Sequence, residues 1–261
     1  MKNKKKPIIN IIKKNPYFSL ITVVKNDEKN IKTTIQSIKK QTFKNFEYII
    51  IDGNSKDKTI ENILAHKKSI NFLISENDKG IYYAMNKGIK ICKGEVVVFV
   101  NSGDILFPNA LKYVYEIFNK KRDLDFVFGT VKRNYTNSTI LKFGFNKKKL
   151  LINFDFATSH STGFFLKRKQ LNKFSFNTKY KCSSDYDLYF KLLITNNLKG
   201  SYTEKNKMVG EVMSGGFSSK ISFFDHLIEE TKIRLDNKQN FFIVSIIFVN
   251  AILKNFLKKC F

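Results

Sequence analysis

Four short polar clusters each follow an apolar run: Asn26–Asp27–Glu28, Asp52–Gly53–Asn54–Ser55, Glu76–Asn77–Asp78–Lys79–Gly80 and Asn101–Ser102–Gly103–Asp104. Carboxylate and amide oxygens are hard acceptors, suited to sugar hydroxyls, to base N–H groups and to cations that take oxygen ligands. A single acidic turn is an ordinary helix cap. Four in succession, each behind a strand, describe a crevice at the carboxyl edge of an open parallel sheet, where such sheets bind their ligands. Neither G-x-G-x-x-G nor G-x-x-x-x-G-K-[ST] occurs, so the glycine-rich cradles of dinucleotide-binding and P-loop proteins lose support.

The elements that must carry these clusters alternate. Residues 18–24, 46–51, 72–75 and 95–100 are β-rich apolar runs, the last (EVVVFV) of the kind buried on both faces. Between them, 28–40, 58–66 and 81–91 read as helices, with Ile31, Ile35 and Ile38 on one face of the first and Ala84, Met85 and Ile89 inward in the third. Pro108 suits the first turn of a further helix over 109–119. The alternation predicts right-handed βαβ units, an α/β fold with a mostly parallel central sheet and helices on both faces. Beyond Asp123 the pattern loosens into short strands at 126–128, 131–135, 139–143 and 163–166, then helices at 185–196 and 219–236 behind a Ser214–Gly215–Gly216 turn. No repeat is visible, and no linker divides the chain into independent domains.

Composition narrows the classes. The 261 residues are 43% hydrophobic with 26 Phe but only 12 Gly and 3 Pro, which excludes a disordered or collagen-like chain. Cys92, Cys182 and Cys260 are too few and too far apart for a disulfide framework or a CxxC zinc cluster, and read as reduced thiols. A net charge of +25 attracts polyanions, yet of 47 cations only Arg122, Arg133, Arg168 and Arg234 carry the planar fork that favours base reading. Most Phe fall in apolar runs and read as core. The expectation is no nucleic-acid partner, with an anionic membrane surface as the polyanion met.

The two ends differ. Residues 1–16 carry six lysines and no acid, and their apolar run 8–12 is too short for a signal peptide, so they read as a solvated basic tail, or else as a polybasic membrane contact. Residues 237–261 form a basic amphipathic helix. Its apolar stretch 241–253 is shorter than the roughly 20 residues of a membrane span. From Val249 onward Asn250, Lys254, Asn255, Lys258 and Lys259 take one side and Val249, Ile252, Leu253 and Phe256 the other, a pattern suited to a membrane surface or to docking on the protein's own domain.

Three runs carry a resemblance: ITVVKNDEKNIKTTIQSIKKQTFKNFEYIIIDGNSKDKT, then ISENDKGIYYAMNKGI, then GEVVVFVNSGD. Together they resemble the inverting family 2 glycosyltransferases of GT-A fold, with the bacterial enzymes of surface-polysaccharide and lipopolysaccharide synthesis as the nearest type. The resemblance is dense over 17–120 and thin beyond. It implies one GT-A domain over 17–236, with a nucleotide-sugar half (17–120) and an acceptor half (121–236). It implies Thr22, Val24 and Asn26 around the base, Asp52 on the nucleoside, Lys79 near the diphosphate, and Gly80 and Asn86 as further donor-binding residues. Asn101, Ser102 and Gly103 belong to the donor turn, and Asp104 is the ligand of Mn2+ or Mg2+. His160 is a further donor contact, Asp185 is the catalytic base with Asp187 as an alternative, and Gly215–Gly216–Phe217–Ser218 is a downstream loop. Gly103 and Ser184 stand where the family carries acids.

The implied activity is metal-dependent transfer of a sugar, with inversion, from a nucleotide diphosphate-sugar to a lipid-linked or saccharide acceptor, by a cytoplasmic enzyme peripheral on the inner membrane face. A nucleotidyltransferase of similar fold would need an early glycine-rich loop, absent here. A polyanion-binding protein would need base-stacking aromatics in a basic groove. An inactive relative would explain Gly103 and Ser184.

Overall fold

The computed structural model describes residues 6–135, 138–152, 161–213, 215 and 220–260. In chain order the first half runs β1 (Ile9–Asn10), β2 (Phe18–Val24), α1 (Ile31–Lys39), β3 (Phe46–Asp52), α2 (Thr59–Leu64), β4 (Phe72–Ser75), α3 (Ile81–Ile91), β5 (Val96–Phe99), β6 (Ile105–Leu106) and α4 (Ala110–Lys120). The second half adds β7 (Phe126–Phe128), β8 (Thr130–Tyr135), β9 (Ser138–Lys142), α5 (Lys147–Ile152), β10 (Phe164–Lys167), α6 (Arg168–Leu171), α7 (Ser184–Phe190), β11 (Gly200–Tyr202), β12 (Met208–Val212), α8 (Phe223–Asp236) and α9 (Phe241–Cys260).

The large sheet has the order β1-β4-β3-β2-β5-β10-β7-β11, and its centre, β4-β3-β2-β5, is parallel as the alternation predicts. The second half completes it with β10, antiparallel to both β5 and β7, and β11, parallel to β7. A smaller sheet, β6-β12-β8-β9, lies beside it. The chain crosses from β7 to β8 through Gly129, where a Cβ would lie 2.3 Å from Val209 Cγ2, so only glycine passes that close.

Period-two alternation decides the two cores. Leu20 and Val24 of β2 pack with Ile31, Ile35 and Ile38 of α1 and with α4, while Ile21 and Val23 pack with Ala84, Met85 and Ile89 of α3 and with α7. Each fully buried Ile or Phe contributes about 1.5–3 kcal/mol, so burial from both faces, rather than helix propensity, stabilises these short helices.

Several elements differ from the expectation. β6, β11 and β12 carry too little pattern to be found alone; each exists through a long-range partner. Part of the supposed basic tail is in the sheet: Ile9 and Asn10 pair antiparallel with Leu73 and Phe72. The helix expected from 185 to 196 is α-helical to Phe190 and then widens into a π-helical turn over Lys191–Thr195. The one expected from 219 begins at Phe223, behind Ser222, whose hydroxyl accepts from the Asp225 N–H at 3.1 Å. α9 packs on α8 with Val244 and Ile247 buried, while Phe241, Phe242, Ile246, Leu253 and Phe256 are more than half exposed. No helix among the described residues is long and apolar enough to cross a membrane.

Candidate active site

The carboxyl edge of the parallel strands is laced by local hydrogen bonds. Val24, Asp52 and Ser75 are in register at the ends of β2, β3 and β4. The fully buried Asp52 carboxylate accepts from the Ser75 hydroxyl at 2.6 Å, and from both the backbone N–H and the hydroxyl of Ser55, at 3.0 and 2.5 Å. Ser55 Oγ in turn accepts from the Asn26 N–H at 2.8 Å, and Asn26 Oδ1 accepts from Lys56 N–H at 2.8 Å. Asn26 has φ 51°, in the left-handed region that asparagine tolerates better than other non-glycine residues. The β2–α1 and β3–α2 loops are thereby stapled together. Thr22 lies one layer deeper: its hydroxyl donates to Val100 O at 2.7 Å and lies 3.0 Å from the Tyr48 hydroxyl, all buried, so its side chain supports the floor from below.

The turn after β4 is built around a cation that the sequence does not single out. Lys87, from α3, reaches Glu76 at 2.5 Å and Asp78 at 2.6 Å. Burial raises the Asp78 carboxyl above its ordinary range, against the pull of Lys87. Lys79 is exposed beside it, and Gly80 starts α3 at φ 155°, a value that L side chains rarely adopt. Asn86 is engaged elsewhere. Its amide brackets the Phe176 backbone, donating to O at 2.8 Å and accepting from N–H at 3.0 Å, where it borders a cavity of about 750 Å3 that Lys173, Lys191 and Asn237 also line.

The Asn101–Asp104 turn hangs on α1. Thr34 Oγ1 accepts from Gly103 N–H and donates to Asp104 O, both at 2.9 Å, and Gly103 has φ 95°. From the second half, Thr162 donates to Asp104 Oδ2 at 2.5 Å and Asn101 Nδ2 donates to Ser161 Oγ at 2.9 Å. Burial pushes the Asp104 carboxyl up to about 7, the Thr162 and Met213 hydrogen bonds and Arg133 offsetting only part of that rise. Asn101 Oδ1 and Ser102 Oγ are buried with no hydrogen-bond partner among the described residues. Two orphaned oxygens in the same turn as a carboxylate form an oxygen-donor set suited to Mg2+ or Mn2+. No group of three or more His, Cys, Asp or Glu able to hold a metal by itself occurs among the described residues, so the set is one that a ligand's oxygens would have to complete.

Asp185 sits in the first turn of α7. Its Oδ1 accepts from Tyr186 N–H at 2.9 Å and from the Tyr82 hydroxyl at 3.3 Å. A helix N-terminus alone would lower its pKa, but burial dominates and pushes it up to about 6, even though those two bonds and the neighbouring His226 pull it down. Asp187 has a different fate. It is buried against Lys191 Nζ at 2.6 Å and Asn237 Nδ2 at 2.9 Å, a structural ion pair rather than a proton acceptor.

Tyr82 connects the halves: it follows Gly80 in the donor-side turn and touches Asp185. Asp52 ends β3, the 76–80 turn follows β4 and the 101–104 turn follows β5, all parallel strands, and Asp185 is joined through Tyr82 to α3, the helix after the 76–80 turn. His160, and Gly216, Phe217 and Ser218 of the expected loop, lie outside the described residues. Ser75, Lys87, Tyr82 and Thr162 have no signal in the sequence beyond residue type, because their roles follow from contacts made across the fold, whereas Ser55 stands in the Asp52–Ser55 cluster that the sequence marks.

Known proteins resemble this chain. The model of the family "Glycosyl transferase family 2" matches residues 19–180. The uncharacterised glycosyltransferase MJ1057 of Methanocaldococcus jannaschii is 29% identical over 201 residues, covering 73% of this chain and 69% of that protein. The Escherichia coli UDP-Glc:alpha-D-GlcNAc-diphosphoundecaprenol beta-1,3-glucosyltransferase WfgD is 32% identical over 185 residues, covering 69% of this chain and 71% of its own. S. aureus TarS in complex with UDP-GlcNAc superposes with a TM-score of 0.68 at 18% identity, over 90% of this chain and 71% of that one. The Pyrobaculum calidifontis mannosyltransferase PcManGT, in complex with GDP-Man and Mn2+, gives 0.65 at 14% identity, over 96% and 73%. The two structures share the fold, and with the family model spanning well over half of its length, the chain belongs to glycosyl transferase family 2 and has the GT-A architecture.

Proposed function

We propose that this glycosyltransferase moves a sugar, with inversion, from a nucleoside diphosphate-sugar to a lipid-linked or saccharide acceptor in cell-surface polysaccharide or lipopolysaccharide synthesis. The observation that carries the reading is the Tyr82–Asp185 contact, which joins a partly buried carboxylate of raised pKa to the helix that follows the 76–80 turn. The Asp52 carboxylate, held by two serines, accepts from the nucleoside. Lys79 and Gly80 face the diphosphate, and Asn26 and Val24 wall the base. Asp104, with the oxygens of Asn101 and Ser102, would hold Mn2+ or Mg2+, whose charge offsets that of the departing diphosphate. Asp185 takes the proton of the acceptor hydroxyl as its oxygen attacks the anomeric carbon; the carbon–oxygen bond to the diphosphate breaks and the nucleotide leaves with the electron pair. The activity of WfgD, on a diphosphoundecaprenol-linked sugar, favours a lipid-linked acceptor.

The exposed apolar face of α9, with Lys238 before it and Lys254 on it, rests on an anionic membrane surface in this reading, which places the enzyme on the inner face of the cell membrane. The test is nucleoside diphosphate release from a panel of nucleotide sugars, with Mn2+, with Mg2+ and with chelator. Turnover by one donor that chelation abolishes is expected; an intact, folded protein idle on every donor overturns the reading. Removal of 241–261 should release the protein from vesicles containing anionic lipid, and unchanged binding would discard the membrane role.

A further inference from the structure

Glu229, on α8, collects three consecutive backbone N–H groups. Its Oε1 accepts from Lys181 N–H at 2.6 Å, and its Oε2 accepts from Cys182 N–H and Ser183 N–H, both at 2.7 Å, and from the Cys182 thiol at 3.0 Å. Successive amides converging on one anion form a nest. Burial would raise the Glu229 pKa, but the thiol bond and the three amide bonds outweigh it and hold the group below the usual carboxylate range. The three amides and the thiol thereby favour the anionic form of Glu229.

The nest occupies the turn that leads into α7. Ser183 flanks that helix without a side-chain cap of its own, and Cys182 and Ser183 are buried, so without Glu229 their N–H groups would have no partner. Ser183 O accepts from Asp187 N–H at 3.1 Å, which ties the nest to the first helical turn, where Asp185 sits. His226, one turn earlier on α8, lies with Nδ1 3.3 Å from Ser183 Oγ. The hydrogen bonds to the Asp185 carboxylate come from Tyr82 and from its own helix, so its place depends on how that turn is held.

We propose that Glu229 is a positioning residue for the proton acceptor Asp185, acting through the 181–183 backbone. This rests on the reading of Asp185 as the base. A displacement of about 1 Å in a reacting group costs about 100-fold in rate, and that is the expected loss of kcat in Glu229→Ala, with the donor Kd changed less than about twofold because the donor residues lie on other elements. Glu229→Gln keeps one acceptor oxygen for Cys182 and Ser183 but turns an amide donor toward Lys181, so its kcat falls between the two. The amides of Lys181, Cys182 and Ser183 lose hydrogen-exchange protection in the same order.

Three comparisons decide the matter on the full chain. Wild-type turnover that Asp185→Asn abolishes establishes the underlying reading; absence of either sinks that reading and leaves Glu229 to be judged on exchange alone. Given that reading, a kcat within twofold of wild type in folded Glu229→Ala overturns the positioning role. A rate loss matched by an equal loss of donor affinity also overturns it, since that is what general destabilisation produces. Should Glu229→Ala not fold, Glu229→Gln decides by the same split between kcat and donor Kd, and unaltered exchange at 181–183 in it would equally discard the nest.

Discussion

The two halves of the rim fix their carboxylates in different ways. Asp52 is held by its own neighbourhood: Ser55 lies three residues on, and Ser75 stands in register on the adjacent parallel strand. Asp185 is held from far away, by Tyr82 across 103 residues and by a turn anchored on Glu229, 46 to 48 residues along. The first arrangement follows once the βαβ ladder forms. The second requires α3, α7 and α8 to have packed. A binding carboxylate needs a fixed place and a charge, which a strand end supplies. A proton acceptor also needs a shifted pKa, which at Asp185 comes chiefly from burial among several elements.

The contrast is tested most severely by Asp185→Asn. Asparagine keeps both hydrogen bonds on Oδ1 and removes the proton acceptor, so kcat should fall by about 1,000-fold with donor affinity nearly intact. The same variant should be more stable, by about 1–2 kcal/mol in urea titration near neutral pH. The sign follows from the raised pKa. The folded state holds a proton on Asp185 up to about 6 whereas the unfolded chain releases it near 3.8, so the wild type loses stability as pH rises through that window and Asn is spared the loss. Turnover runs the opposite way: kcat/KM should climb with pH to about 6 and level off, and a wild-type profile flat down to pH 4.5 would rule out Asp185 as the base.

On the donor side the effect should be smaller and should fall on binding. Asp52→Asn loses a charged acceptor worth about 1.5–3 kcal/mol, which corresponds to a donor Kd weaker by about 10- to 100-fold with less change in kcat. A pure kcat effect would contradict the division between the halves. Asp187 provides the smallest expected effect on chemistry. Asp187→Asn breaks the pair with Lys191, costs about 1–2 kcal/mol of stability because Lys191 is one-third exposed, and leaves kcat within a few-fold of wild type at a temperature where the protein is folded.

Legibility followed the same division. The strands at 18–24, 46–51 and 72–75 and the turns behind them could be read because the buried parallel strands leave long apolar runs punctuated by polar residues. Asp104 is a candidate that residue type and position single out, but its partner Thr162 is not, since that contact spans 58 residues and a threonine carries no mark of it. Asn86 was assigned to the donor from its place in AMNKGI, yet its amide closes on the Phe176 backbone, a partner that exists only after folding. Of two aspartates in one helical turn, residue type gave no means of separating Asp185 from Asp187; Tyr82 on one side and Lys191 with Asn237 on the other did so.

Local order sufficed for the alternation of strand and helix, the polar turns behind the strands and the kinship with family 2, because period, turn chemistry and motif are properties of neighbouring residues. Which carboxylate is buried and raised, which is neutralised by a lysine and which is caged by backbone amides was decided by packing. Desolvation and long-range hydrogen bonds depend on surfaces that meet only when the whole chain is in place.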